Sequence, residues 1–202
     1  MQILFASSNQ GKIAEAKDIF LSSKHQLLSV NDQEILEHLG IIVPKNLNIQ
    51  ESAESFQANA LIKVQAFHHF CHLPCIADDS GLLLDAYPNF PGVNSNRWIE
   101  GSDFERNVAL LKKLENQVNR RAKFQTILCL YAYKNHQALF FSGEVSGQIA
   151  LKIQGTEGFG YDPIFIPDSY NLSFAQLGVA VKNKISHRVK AWQTLLEFLE
   201  KN

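Results

Sequence analysis

The chain has 202 residues, 46% hydrophobic and 19% charged, enough to bury a real core as a single domain over residues 1–202 without a disulfide or metal staple. Nineteen Lys plus Arg stand against twenty Asp plus Glu, a formal charge of -1, so no global basic field draws it to nucleic acid or an anionic membrane, and any anion must be met by a local site. MQILFASSNQGK has about five or six apolar positions before it turns polar, short of a signal h-region, and no run reaches the ~18 residues of a membrane span, so a cytoplasmic protein is expected.

Residues 2–7 (QILFAS) read as a short buried strand, followed by the polar turn Ser8-Asn9-Gln10-Gly11 and a helix from about Lys12 to Ser22. Residues 41–49 alternate weakly and suggest an edge strand or extended loop, with Pro44 excluding a central strand. A second helix is expected from about Ser55 to Cys71, ending before Pro74, after which PCIAD leads into LLLDAY as strand, turn, strand. Ser102-Asp103-Phe104-Glu105 is a capping box, and Phe104, Val108, Leu111 and Leu114 follow at helical spacing, which predicts a helix burying that face. AKFQTILCLYAYK and QALFFSGEVSGQIAL, separated by Asn135-His136, predict a long hairpin. Gly155 to Pro163 is a glycine-rich loop, and RVKAWQTLLEFLEKN is an amphipathic helix through Val189, Trp192, Leu195 and Leu199. Helices interleaved with strands, one pair antiparallel, give an α/β fold with a mixed central sheet and flanking helices.

Three cysteines, Cys71, Cys75 and Cys129, form no CxxC pair and argue for reduced thiols. His68, Cys71, His72 and Cys75 fall at i, i+3, i+4 and i+7, a spacing that can gather soft metal ligands on one helix face. Pro74 would end the helix before Cys75 and leave the fourth ligand unplaced, so the alternative is surface histidines and buried thiols.

Five segments carry residue types suited to chemistry. Ser7-Ser8-Asn9-Gln10-Gly11-Lys12 hands a strand to a helix, where free N–H groups, hydroxyls and a lysine can hold phosphate; the alternative is an ordinary N-cap. Asp78-Asp79-Ser80-Gly81 sets two repelling carboxylates after an apolar run, which Mg2+ bridging to phosphates would compensate, unless this is an Asp-Ser-Gly turn. Lys63 lies at the edge of the apolar stripe Phe56, Ala60, Val64, Phe67, Cys71, with Asn59 beside it, either reaching a partner or snorkelling to water. In Gly158-Phe159-Gly160-Tyr161-Asp162-Pro163, glycines flank an aromatic that a flat ligand can approach; the alternative is a β-bulge with a core Phe. Lys182 with Ser186-His187-Arg188 supplies clustered donors, or else the solvated start of the last helix.

Together these segments resemble the inosine triphosphate pyrophosphatase family, in its order and over nearly the whole chain. The matching pieces are SSNQGK at 7–12, Glu51 with FxxNAxxK from Phe56 to Lys63, ADDSGL at 77–82, PG at 91–92 with Ser95 and Arg97, GFGYDP at 158–163 and KNKISHR at 182–188. The resemblance implies a mixed sheet, two lobes around a central cleft, a homodimer, and Mg2+-dependent hydrolysis of ITP, dITP or XTP to the monophosphate and pyrophosphate. Carried over by residue, Asp79 would activate water and hold Mg2+, with Glu51 and Asp78 supporting the metal. Ser7, Ser8, Asn9, Gln10, Gly11, Lys12 and Lys63 would hold the triphosphate with Ser80 beside it. Phe159 would stack on the purine base within Gly160 and Tyr161, while Asp162, Lys182, His187 and Arg188 would read its edge or position the nucleotide. Donors at His187 and Arg188 would favour a 6-keto group over the 6-amino of adenine. Gln176, Ala180 and Val181 depart from the family's acidic TFAEL-type stretch, and Asn94 and Asn96 stand where Tyr and Ala are common. Competing readings are a pyrophosphatase for another modified nucleotide, and a non-catalytic nucleotide- or zinc-binding module built on the Cys71/His72 region.

Overall fold

The strands β1 (Gln2–Phe5), β2 (Gln26–Ser29), β3 (Cys75–Leu84), β4 (Tyr87–Pro91), β5 (Arg121–Tyr133), β6 (Gln137–Ile149) and β7 (Phe165–Pro167) form a mixed sheet in the computed structural model. Its order is β2-β1-β3-β5-β6-β7, with β4 on β3; β1 is parallel to β2 and β3, whereas the β3/β4 and β6/β7 pairs are antiparallel. The helices are α1 (Gln10–Phe20), α2 (Gln33–His38), α3 (Phe56–Cys71), α4 (Asp103–Lys113), α5 (Phe174–Ile185) and α6 (His187–Lys201). The structure describes residues 1–21, 23–44, 47, 49–134 and 137–202, which fall into two units.

Unit 1 comprises Met1–Asp79, Ile127–Ser142 and Ala191–Asn202. Side chains alternate across a strand, so each of its strands feeds two cores. Ile3 and Phe5 of β1, Ile76 of β3 and Leu128 and Leu130 of β5 pack with Ile13, Ala16 and Phe20 of α1 and with Trp192, Leu195 and Leu199 of α6. Leu4, Cys75, Ala77 and Cys129, the intervening residues, pack with Ala60, Val64, Phe67 and Cys71 of α3. The register Leu4↔Cys75 and Phe5↔Ile76 keeps both sets in line. Helices therefore cover both faces, which a parallel core requires. Trp192 is fully buried between the edges of Phe5 and Phe20, and truncating such an aromatic costs about 3–5 kcal/mol.

Unit 2 comprises Ser80–Thr126 and Gly143–Lys190. Its core joins Leu82 and Leu84 of β3, Leu110 and Leu114 of α4, Ala122 and Phe124 of β5, Val145 and Ile149 of β6, and Tyr161, Ile164, Phe165 and Phe174. A Cβ at Gly147 would stand 3.0 Å from Pro167 Cα, so glycine is what lets β6 and β7 approach.

Several elements differ from the sequence expectation. The chain does not turn at Asp78-Asp79-Ser80-Gly81; β3 runs straight through it, and the reversal falls at Asp85-Ala86 between β3 and β4. β1 ends at Phe5 and α1 starts at Gln10, earlier than Lys12, because Asn9 takes the cap. The expected helix end at Ser22, parts of the 41–49 segment (Lys45, Asn46 and Asn48) and the Asn135-His136 turn lie outside the described residues; Ile41 to Pro44 form no strand. The capping box of α4 is present, but Phe104 and Val108 are exposed, and Asn107, Leu110 and Leu114 make the buried face. The α5 helix, unforeseen, carries a second capping box in which Gln176 accepts from the Ser173 N–H, and it is broken at Gly178 (φ 78). A helix-breaking glycine in a short segment hides its period.

Candidate active site

Unit 1 gathers its charged residues where β1 gives way to α1 and where α3 lies against β3. The Asn9 Oδ1 accepts the Lys12 N–H at 3.0 Å, and the Ser7 hydroxyl accepts the Asn9 N–H at 3.3 Å, so Ser7 and Asn9 shape the turn as a cap. Ser8 and Gln10 are exposed beside them, and Gly11 is half-buried. The capped turn aims Lys12 at β3, where its Nζ lies 2.9 Å from Asp78 Oδ2.

Alternation then explains why two adjacent aspartates tolerate each other. Asp78 continues the Ile76 face, toward α1, whereas Asp79 continues the Cys75/Ala77 face, toward α3. Asp79 Oδ1 is 3.4 Å from Lys63 Nζ, its Oδ2 accepts from Asn59 Nδ2 at 3.1 Å, and Lys63 Nζ also lies 3.2 Å from Glu51 Oε1. Lys63 is thus turned inward to carboxylates, not out to water. Asn59 is fully buried and held by Ala53, whose N–H it accepts at 3.0 Å. Spacing of i, i+4 puts it on the Lys63 face of α3, the signal that could have raised it from a neighbour of the site to a member.

The electrostatics follow from burial. Desolvation pushes the Asp79 carboxyl above its ordinary value, opposed by Lys63 and reinforced by the Glu51 charge. Burial alone would lower the Lys63 ammonium, but Asp79, Asp78 and Glu51 together hold it above its ordinary value. Among the described residues no three His, Cys, Asp or Glu side chains form a ready metal cage. The donor set nevertheless suits a hard divalent cation: Glu51 and Asp79 converge on one ammonium, and Mg2+ is commonly held by one or two carboxylates completed by substrate phosphates. His68, Cys71, His72 and Cys75 form no metal-ligating group: the two sulfurs meet at 3.4 Å, but His68 Nδ1 lies 2.8 Å from Leu73 O, and His72 caps α3 in a left-handed conformation.

Unit 2 brings together the GFGYDP and SHR segments. Asp162, 2% exposed, accepts on its Oδ2 from the Phe159 N–H at 2.9 Å and from Lys182 Nζ at 2.7 Å. Burial pushes its carboxyl up, against the pull of Lys182. The half-buried Phe159 ring lies 4.2 Å from Lys182 Nζ and 5.3 Å from Arg188 Cζ. The His187 ring stacks on Phe124 at 4.8 Å. Lys182, Ser186, His187 and Arg188 are all buried, which excludes a solvated helix start. Tyr161 sits in the core instead, its hydroxyl donating to Ser95 O and accepting from Trp98 Nε1, each at 2.6 Å, and lifted by burial to about 12. Ser80 and Thr126 hydroxyls are 2.9 Å apart. Sequence reading missed the clamp on the Gly160 peptide: Asp103 accepts its N–H at 2.7 Å, and Asn107 donates to its carbonyl at 2.9 Å.

Comparison with known proteins bears on the whole chain. The model of the Ham1 family matches residues 3–198. A dITP/XTP pyrophosphatase of Aquifex aeolicus is 37% identical, with 99% of this chain and 97% of that protein covered. One from Porphyromonas gingivalis is 37% identical over 98% of this chain and 97% of its own length. A solved HAM1 protein from Coxiella burnetii superposes with a TM-score of 0.86 at 32% identity, covering 100% of both chains.

Proposed function

The chain belongs to the Ham1 family, and from that premise we propose that it is a nucleoside triphosphate pyrophosphatase hydrolysing ITP, dITP and XTP to the monophosphate and pyrophosphate. The observation that carries the reading is the pairing of Lys12 and Lys63 with Asp78, Asp79 and Glu51 on the two faces of β3. A triphosphate brings about four negative charges, and these lysines can pass from carboxylate to phosphate as it binds, freeing carboxylate oxygens for a cation. Mg2+ held by Asp79 and Glu51, with Asp78 in support, would neutralise charge on the phosphates.

Asp79 is the residue assigned to water activation. A carboxylate whose pKa is raised by burial is a stronger base than one in solvent, and Asn59 and Lys63 fix its orientation. It would orient water toward the α-phosphorus and take its proton, with pyrophosphate leaving. Ser7, Ser8, Asn9, Gln10, Gly11 and Ser80 line the phosphate side in this reading. Phe159 with Gly160 offers the base a face, Asp162 and Lys182 hold that ring in place, and His187 and Arg188 donate to the 6-keto oxygen. Tyr161 supports the loop from the core. The same reading takes residues 1–202 as one catalytic domain, the cytoplasm as location and a homodimer as the working form; light scattering tests the last. No helix among the described residues is long and apolar enough to cross a membrane.

The test is product analysis with ITP, dITP, XTP, GTP and ATP in the presence of Mg2+. Inosine monophosphate and pyrophosphate are expected from ITP, with GTP and ATP turned over poorly; release of inosine diphosphate and orthophosphate would refute the reaction.

A further inference from the structure

Two of the three cysteines, unused by the site, lie in contact: Cys71 Sγ and Cys75 Sγ are 3.4 Å apart and share a hydrogen bond. Their approach is built into the turn between α3 and β3. Cys71 is the last residue of α3, His72 stops the helix in a left-handed conformation (φ 53) with its N–H on His68 O, and Cys75 opens β3 on the face that looks toward α3. Leu73 O fastens the turn: His68 Nδ1 lies 2.8 Å from it, and Cys75 Sγ 3.4 Å. Cys129 sits fully buried in the same core with its thiol raised to about 12 by desolvation.

We propose that Cys71 and Cys75 are a modification site, a dithiol that a hydroperoxide closes to an intramolecular disulfide joining the end of α3 to the start of β3. Cys71 is the attacking sulfur: the hydrogen bond from Cys75 holds its thiol below the ordinary value, while the same bond and burial hold Cys75 above it. The Cys71 thiolate attacks one peroxide oxygen, the O–O bond breaks, and with a proton the leaving oxygen departs as water (as alcohol from an alkyl hydroperoxide), leaving Cys71 sulfenic acid. The Cys75 sulfur then attacks the Cys71 sulfur, and the sulfenic hydroxyl leaves as water with the Cys75 proton. Two thiols lose two electrons, and the peroxide gains them. Contact decides the product, because a resolving thiol already at van der Waals range traps the sulfenic acid before a second peroxide can carry it to sulfinic acid. Buried thiols are commonly inert, but Cys71 is the last residue of α3, next to the exposed His72, and local opening of that helix end would admit a molecule the size of hydrogen peroxide. The bond would tie together the helix that carries Asn59 and Lys63 and the strand that carries Asp78 and Asp79.

The experiment uses the full chain with hydrogen peroxide, followed by denaturing alkylation, peptide mapping and intact mass. The expected result is loss of two hydrogens, a peptide linked through Cys71 and Cys75, full alkylation of Cys129, and complete reversal by dithiothreitol. The Cys71→Ser variant should lose the disulfide and instead oxidise Cys75 slowly. Full alkylation of Cys71 and Cys75 in the treated wild type, sulfinic acid as the main product, or a bond to Cys129 would overturn the proposal. The wild-type map decides the matter even where the variant folds poorly, and it does not depend on the substrate.

Discussion

Gly158→Ala should destabilise the protein by about 3 kcal/mol or more, and the structure divides that loss into two parts. Gly158 has φ +81, a left-handed conformation that costs an alanine roughly 1–2 kcal/mol. The added Cβ would also stand 3.0 Å from Asp162 Cγ and 3.1 Å from its Cβ, and overlap its Oδ2. That oxygen accepts from both the Phe159 N–H and Lys182 Nζ, so Asp162 cannot retreat without breaking a buried ion pair, a loss of about 3–5 kcal/mol when complete. Backbone relaxation recovers part of this, hence the lower figure. Gly160→Ala is the control: its φ is +63, yet a Cβ added there would meet nothing within 4 Å, so only the conformational part, roughly 1–2 kcal/mol, applies. Urea unfolding of both variants measures the difference directly. Equal losses would refute the argument from Asp162, as would a Gly158→Ala midpoint indistinguishable from wild type.

Asp79→Asn should keep most nucleotide affinity and lose turnover, since shape is kept and the charge for water activation is removed; near wild-type kcat would move the base elsewhere, with Asp78 next. In the proposed role Asp79 must be ionised, and its pKa is raised, so kcat/KM should fall as pH drops through a value above the ordinary carboxylate range. Glu51→Gln removes a like charge beside it and should shift that acid limb to lower pH; a shift upward would contradict the electrostatic account. Arg188→Ala should cost ITP about 1–3 kcal/mol of transition-state binding and ATP much less, lowering the ITP/ATP ratio of kcat/KM roughly ten-fold, whereas Phe159→Ala should weaken both alike. Equal losses in Arg188→Ala would make Arg188 a structural or phosphate residue. Asn107→Ala frees the Gly160 carbonyl and should raise KM for ITP several-fold with kcat little changed; an unchanged KM would show that the clamp does not govern the Phe159 loop.

The parts of the site that were legible in the sequence are those whose partners lie close along the chain or on one helix face. Asn59 and Lys63 share a face of α3 by spacing alone, and the α4 capping box was visible as four consecutive residues. The Gly158–Pro163 and Ser186–Arg188 segments were visible as residue types, but their joining through Phe159, Lys182 and Arg188 was not, because it depends on tertiary packing. The α4 face shows the limit most clearly. Hydrophobicity favoured Phe104 and Val108, yet the fold buries Asn107, whose partner Gly160 lies in a distant loop. At β3 the glycine after two aspartates and a serine carried every local mark of a turn, and pairing with other strands overrode it. Spacing places Asn59 beside Lys63, whereas its bonds to Ala53 and Asp79 depend on packing that no local pattern carries.

The alternation of Asp78 and Asp79 also bears on how β3 finds its place in the sheet. Residues 75–79 are buried without interruption on both faces, so apolar patterning there says little about which residue should sit opposite which. The two acids act as an index mark. They are bounded by Ala77 and Ser80, neither charged. A slip of one residue in one direction would set Asp79 against Lys12 and leave Lys63 facing Ser80; the opposite slip would set Asp78 against Lys63 and leave Lys12 facing Ala77. The first error leaves Lys63 with Glu51 but without Asp79, and the second takes Asp78 from Lys12; each loses a largely buried ion pair, which disfavours the misaligned strand. The residues proposed for catalysis would then also proofread the assembly of the strand that holds them.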